Sequence, residues 1–540
     1  MRKMTLVFAL VTIAGMFVAC ASPATVALPT QISKKGGDFK EVATSDAKSF
    51  QPFLTTDTTS SSYQGNVYAS GLFLRDPKTL QPIPGMAESW TVSSDAKTYT
   101  YKLRKDLRWS DGSPITAQDF IWTYQQASNP KNNYPYIENF KDLQSYTALD
   151  DYTIQVALKE GICVGLDTSD AAEPPLPKAV WSKLDWSDPT KNPQILMPTV
   201  ISGLYNLKEW KRDDHAAFTR NDSYYHGAPN FASDTVIIVP NTTVQFQMLK
   251  TGEVDSAPVT AADYTEAKAT VNLEEYDWDP AVATYDYIGI NLRRPVLQDV
   301  EVRHALSYAT PRQQIADKVF NGLAKPTYSA FTPTSWVYNP DVPRYDYNID
   351  TARATLDKAG YKLDANGKRL DKSGKPFPTL KILYNAGNNQ REQIATIAQA
   401  EFKKLGIDSQ VTGMEFQAYL DYLQKPPFDY DLYVLGWQTT LEPYFSYQIW
   451  SESTIPDLNA GAYVNKQVES LFDQSNRPPC DTESRKKVFQ QIQTLITNDS
   501  PYIFLNYHTG YTFLNKRVIP NPPSPLGISY YPEQWYMQSP

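Results

Sequence analysis

Tyr99, Tyr101 and Leu103 alternate with Thr100 and Lys102, the two-residue period of a half-buried strand. Trp109-Ser-Asp-Gly-Ser-Pro114 then predicts a turn, and Thr153 to Leu158 a second strand. Val236 to Val239 is a short apolar strand stopped by Pro240. Asn241 is placed to cap a helix that turns Val244, Met248 and Leu249 inward and stops at Gly252. Further on the period lengthens. Asp350 is expected to cap a helix with Ala352, Leu356 and Ala359 on one face, ended by Gly360. Ile394, Ile397, Ala398, Phe402 and Leu405 form a second stripe that stops at Gly406. Val488, Ile492, Leu495 and Ile496 form a third, and Asp431 to Leu435 reads as a buried strand. Strands alternating with helices predict α/β lobes. A chain of 540 residues exceeds one core, so two or three domains are expected.

The N-terminal pattern differs. Arg2 and Lys3 precede an apolar run from Met4 to Val18, too short for a comfortable membrane span and typical of an export signal. Val18-Ala19-Cys20 is similar to a bacterial lipobox, which would make Cys20 the lipidated first residue of the mature chain. Phe17 departs from the usual leucine, and cleavage at Ala19-x-Ala21 by an ordinary signal peptidase is the rival reading. Residues 1–19 are read as the signal and 20–35, polar and without periodicity, as a tether. No second long apolar segment follows. The net charge of −8 argues against nucleic acid as a partner. Cys163 and Cys480 remain after processing. An exported protein can bridge them; the domain map below puts them in different lobes, and two unpaired thiols are expected because a covalent link would block lobe motion.

A specific resemblance begins at Ala87-Glu88-Ser89-Trp90. It runs through Ser94-Asp95, Tyr99 to Arg104, Asp106-Leu-Arg-Trp-Ser-Asp-Gly112, Pro114, Thr116-Ala117 and Asp119-Phe120. The same residues make physical sense unaided: Asp111-Gly112 supplies a tight turn and Thr116 caps a helix from Ala117. Gly203-Leu-Tyr205 with Glu209-Trp210, Arg220-Asn-Asp222, Tyr224-Tyr225, Gly227-Ala-Pro229 and Leu249-x-x-Gly-Glu-Val-Asp255 continue the match. Ile288 to Leu292, Val302-Arg303 with Ala305 to Ala309, Asp429 to Leu432 and Gly436-Trp437 complete it. Pro311 stands where an Asp is usual. Together these resemble the peptide/nickel class of solute-binding proteins, family 5.

The resemblance implies a bilobal periplasmic-binding-protein fold, α/β, of cluster C (type II). Lobe 1 would comprise residues 36–285 with a return at 510–540, extended by a subdomain inserted near 74–185; lobe 2 would be 286–509. It also implies a lipid-anchored extracytoplasmic subunit of an ABC importer, held on the outer face of the cell membrane, expected to be a monomer. Its partners would be a small solute and the permease subunits.

Three segments are expected at the ligand: Thr55 to Tyr63, with Thr58, Ser61 and Tyr63; Asn385 to Asn389, with Asn385 and Asn388; and Gly436 to Tyr444, with Trp437, Thr439, Glu442 and Tyr444. In peptide-binding relatives the third carries an Asp for the peptide's ammonium, where Thr439 stands here. In dipeptide-binding relatives an Arg near the second holds the carboxylate, about where Asn385 falls. Both ionic anchors therefore look absent, with Glu442 as a substitute acid. Peptide ranks narrowly first as ligand, a neutral oligosaccharide second, with nickel binding and a secreted glycosidase behind.

Other chemistry finds little support. Gly161-Ile-Cys163-Val-Gly165 follows a strand as a nucleophile elbow would, but the acid- and proline-rich Asp167 to Pro177 is not the helix an elbow needs. His215, His226, His304 and His508 have no paired spacing for a metal. No catalytic residue, metal or cofactor is expected.

Overall fold

The computed structural model describes residues 36–69, 71–170 and 174–538. Cys20, the export signal and the tether lie outside them. Two sheets form the two lobes. In lobe 1, Asp38–Ala43 runs parallel to Ser233–Ile238, which pairs antiparallel with His215–Arg220 and then Tyr205–Lys211. Leu273–Trp278 and Gly510–Asn515 form an antiparallel pair beside it, joined through Ser256, which bridges to both Glu41 and Leu514. Lobe 2 is built on six strands in the order Ala324–Pro326, Tyr502–His508, Thr284–Ile290, Leu432–Gln438, Leu380–Asn385 and Ser409–Met414. Ile288, Ile290, Ile382, Leu432 and Val434 are buried there against Ile394, Ala398 and Phe402 of the helix Asn389–Lys403.

A third sheet extends lobe 1 and follows the alternation seen in the sequence. Ala87–Val92, Thr98–Leu103, Thr153–Leu158 and Leu143–Asp150 pair antiparallel in that order, with Tyr99, Tyr101 and Leu103 buried. The helix Ala117–Ala127 covers it, and the Asp119 carboxylate accepts the Thr116 N–H at 2.9 Å, tying down its first turn.

The predicted helices exist, with shifts of face or cap. Asn241 does cap Thr242–Thr251, and Gly252 ends it with positive φ, but Val244 is exposed and Phe246 takes the inward position. Asn348, not Asp350, caps Ile349–Lys358. On Thr482–Asp499 the buried stripe is Phe489, Ile492 and Ile496, turned slightly from Val488 and Leu495.

The chain passes between lobes twice, at 279–283 and at Thr509. At the first, Ala283 and Thr439 exchange hydrogen bonds: the Thr439 N–H donates to the Ala283 carbonyl at 2.8 Å, and the Ala283 N–H to Thr439 Oγ1 at 2.9 Å. Asp286 and His508, flanking the two crossings, are paired at 2.5 Å. Gly510 is needed where it stands, since a Cβ there would lie 2.3 Å from the Trp278 indole nitrogen.

A further junction corrects the expectation for the thiols. Cys163, after the strand Thr153–Leu158, is disulfide-bonded to Cys480, between helices Lys466–Ser475 and Thr482–Asp499. The bond joins the third sheet's subdomain to lobe 2. Around it the Cys163 N–H donates to the Asn476 carbonyl at 3.0 Å and the Val164 N–H to Asn476 Oδ1 at 3.1 Å. Lys141 pairs with Asp473 at 2.8 Å and Arg477 with Glu160 at 2.8 Å. A short helix, Gly165–Ser169, does follow the Gly161–Gly165 turn, contrary to the composition argument. The sulfur inside that turn is oxidised and cannot serve as a nucleophile.

Candidate ligand-binding cleft

The lobes meet face to face. Gln417 of lobe 2 donates to the Asp46 carbonyl at 3.3 Å, Lys48 lies 3.6 Å from Asp421, and Asn321 donates to the Ala261 carbonyl at 2.6 Å. Between them is a cleft of about 580 Å³, within the ordinary range for small-molecule sites. Its lobe 1 wall is the start of the helix Thr58–Val67. Asp57 caps that helix by accepting the Ser60 N–H at 2.8 Å, leaving Thr58 and Ser61 facing the cleft. Tyr136 enters from the subdomain, its hydroxyl pushed up to about 12 by burial and by the charge of Asp57.

The floor is aromatic. Tyr287 and Tyr433 stand on neighbouring strands, and Tyr287 stacks on Tyr502 with ring centroids 4.0 Å apart. Gly289 makes this possible, because a Cβ there would lie 2.1 Å from the Tyr433 ring. Trp437, at the end of Leu432–Gln438, lines the cleft and donates from its indole to the Tyr502 hydroxyl at 3.4 Å.

Two charged groups lining the cleft went unread in the sequence. Arg391, in the first turn of Asn389–Lys403, is held by Asn385, whose Oδ1 accepts from Nη1 at 2.7 Å. Asn388 caps the same helix by accepting the Arg391 N–H at 3.0 Å. No carboxylate lies within ion-pair distance of the guanidinium among the described residues. Asp457 is the second. It stands exposed at the cleft wall, where partial desolvation by the surrounding protein raises its carboxyl above the usual range and Lys48 pulls the other way. The signal for Arg391 was there to be read: an Arg three residues beyond an Asn cap, on a helix starting at a strand's carboxyl end.

Of the expected site residues, Thr58, Ser61 and Trp437 line the main cleft, while Tyr63, Asn385 and Asn388 border a chamber beside it. Thr439, Glu442 and Tyr444 line neither. Thr439 is committed to the crossover. Glu442 caps Pro443–Ile449 by accepting the Tyr444 N–H at 3.0 Å, and pairs with Arg485 through both oxygens at 2.7 and 3.1 Å. It is not available as a substitute acid. The Tyr444 ring is buried beside Tyr447, below Lys141.

Two α/β lobes closed over a polar-walled, aromatic-floored cleft define a solute receptor. The family model of bacterial extracellular solute-binding proteins, family 5 (middle), matches residues 81–456. The chain belongs to that family: it is an extracytoplasmic transport binding protein and not an enzyme. The oligopeptide-binding protein AppA of Bacillus subtilis is 28% identical over 508 residues, 93% of this chain and 92% of its own. The structure of that protein with a nonapeptide covers 94% of this chain and 100% of its own at a TM-score of 0.87. The dipeptide-binding protein of Escherichia coli is 23% identical over 487 residues, 84% of this chain and 86% of its own. NikZ of Campylobacter jejuni, solved with Ni(L-His), is 23% identical at a TM-score of 0.81, covering 92% and 99%; at that identity it speaks to the fold alone. Among the described residues no group of three His, Cys, Asp or Glu side chains is placed to hold a metal ion, and no helix is long and apolar enough to cross a membrane.

Proposed function

We propose that this protein captures short peptides for an ABC importer and hands them to the permease. The observation that carries the reading is Arg391: a guanidinium oriented by Asn385, without an acidic partner, at the wall of an inter-lobe cleft. A half-buried cation of that kind, free of any acid of its own, suits a ligand carboxylate. Asp457, lining the same cleft, supplies the opposite charge for an amino end. The anchors that Thr439 and Asn385 lack thus have replacements at other positions, and a zwitterion fits better than a neutral sugar. The aromatic floor accommodates either. Ligand contacts with both walls favour the closed form over the open one, which is how capture is coupled to closure. One chain supplies both walls, so a monomer suffices. Cys20, lipidated, would hold the receptor at the membrane; Cys20→Ala is expected to release it into the medium.

Calorimetry with free and C-terminally amidated peptides, beside cello-, xylo- and malto-oligosaccharides, tests the reading. Free peptides should bind, and Arg391→Gln should weaken them by about 100-fold or more, the scale of an unpaired buried charge. Oligosaccharide binding, with peptides silent, would replace the peptide reading.

A further inference from the structure

The chamber beside the main cleft, about 350 Å³, opens to it through Thr58, Ser62, Arg391 and Phe416, which border both. Its inner wall is the parallel pair Asp38–Ala43 and Ser233–Ile238, where Glu41 lies opposite Val236 and both line the chamber. The Glu41 carboxyl makes no hydrogen bond and no ion pair among the described residues. Two residues before Val236, and so on the same face of the strand, lies Asp234, 4% exposed, opposite Phe39. Its Oδ2 accepts from Asn66 at 3.0 Å, and its Oδ1 has no partner.

Two acids walled in side by side without a cation oppose each other's ionisation. Burial raises Glu41 to about 7, and it raises Asp234 as well, with Glu41 adding to the effect. Asp255, which adds to the effect on Asp234, is already paired with Arg517. Arg391 borders the chamber but lies beyond ion-pair distance of Glu41. The chamber thus offers acceptors that its bordering guanidinium does not reach, and its mouth is on the ligand cleft.

We propose that this chamber receives a basic side chain of the bound peptide, a guanidinium or alkylammonium group that meets Glu41 with Asp234 behind it. The proposal rests on the peptide reading above and narrows it to peptides carrying Lys or Arg. The amino end is left to Asp457 in the main cleft. A ligand cation would displace the proton that burial holds on Glu41, so its charge is matched only once ligand is bound.

The test is calorimetry on the mature protein with pentapeptides carrying Arg at each position in turn, each paired with its citrulline analogue, and with N-acetylated versions. At one position Arg should be preferred at least about ten-fold. Glu41→Gln should collapse that ratio toward one, and Asp234→Asn should reduce it. Glu41→Gln should also raise Tm, since it removes the acid–acid repulsion, and this checks that the variant is folded. A ratio unchanged in Glu41→Gln overturns the proposal. Glu41 dependence that vanishes on N-acetylation would assign the chamber to the amino end and overturn the side-chain assignment. If no peptide binds at all, the peptide reading fails, and agmatine decides separately: a Glu41-dependent thermal shift keeps the chamber as a cation site, and its absence removes it.

Discussion

The lobes are joined in two unlike ways. At the crossovers two short backbone segments pass between sheets, steadied by polar contacts: the Thr439–Ala283 exchange and the Asp286–His508 pair. Such contacts can lengthen while the backbone turns, which is what a hinge requires. The junction between the inserted subdomain and lobe 2 is a seam: ion pairs, backbone hydrogen bonds, aromatic rings and the Cys163–Cys480 bond. A disulfide does not stretch. Two peptide crossings and one disulfide restrict rigid-body opening to motions that keep all three intact, so either the rotation passes close to the seam or the subdomain travels with lobe 2. Cleft opening is therefore set as much by the seam as by the hinge.

The largest expected effect comes from breaking the seam covalently. Cys163→Ser with Cys480→Ser removes a link across 317 residues. Its loss should cost about 2 to 5 kcal/mol in denaturant unfolding. The ligand-free radius of gyration from X-ray scattering should rise, and ligand should dissociate faster. Equal scattering curves for the native and serine proteins would show that the bond does not limit opening.

A smaller effect sharpens the comparison without touching the sulfurs. Arg485 pairs with Glu442 inside lobe 2, with side chains 8% and 18% exposed. Asp167 of the subdomain lies within reach of the same charge: burial raises its carboxyl, Arg75 lowers it and Glu442 raises it further. Arg485→Met should cost about 3 kcal/mol by leaving Glu442 uncompensated, seen as a lower midpoint of urea unfolding. With the disulfide intact, scattering should not change. Opening in Arg485→Met as wide as in the double serine variant would move the restraint from the bond to the ion pair.

How much of this was legible depended on range. Element types were readable because their determinants are local: the Tyr99–Leu103 alternation, the Asn241 cap, Gly252 at the helix end. The buried face of Thr482–Asp499 was turned slightly because apolar spacing alone cannot say which neighbour a helix meets. The cleft was half readable. Thr58 and Trp437 sit at strand and helix ends, where sequence order predicts them. Glu442 was misread because Arg485, its partner, is 43 residues away, and nothing local says that a cap acid is already neutralised. Cys163 was misread for the same reason at greater range: bridging was set aside because a covalent link would block lobe motion, and nothing local says that the subdomain rests against lobe 2 beside Cys480. Arg391 went unread because it lies six residues beyond position 385, on the following helix, and only the fold shows Asn385 orienting its guanidinium.

The smallest expected effect concerns the hinge side and its pH dependence. Burial lowers the His508 pKa, but the nearby Asp286 carboxylate more than offsets this through charge and hydrogen bond, so the net shift is upward; Arg391 pulls it down slightly. Phe320 packs its ring edge-on against the imidazole and supplies no charge. A histidine with a raised native pKa binds its proton more tightly folded than unfolded. Its stabilisation is therefore fully present below about pH 6.5, the unfolded value, and is lost as pH rises through the native one. Glu41 contributes a fall of the same sign: its raised native pKa of about 7 makes stability drop between the ordinary glutamate range and neutrality. The two must be separated. In Glu41→Gln the fall on the acid side of neutrality should shrink while any fall from neutral to alkaline pH persists. In Asp286→Asn the part owed to His508 should disappear and the Glu41 part remain. Thermal unfolding from pH 5 to 9 of the native protein and both variants reads this directly. The seam carries no histidine among the residues described here as forming it, so the double serine variant should keep the native pH profile, displaced downward in Tm. A profile that flattens when the disulfide is removed would mean that the histidine pair answers to the seam, and that the two junctions are one mechanical unit.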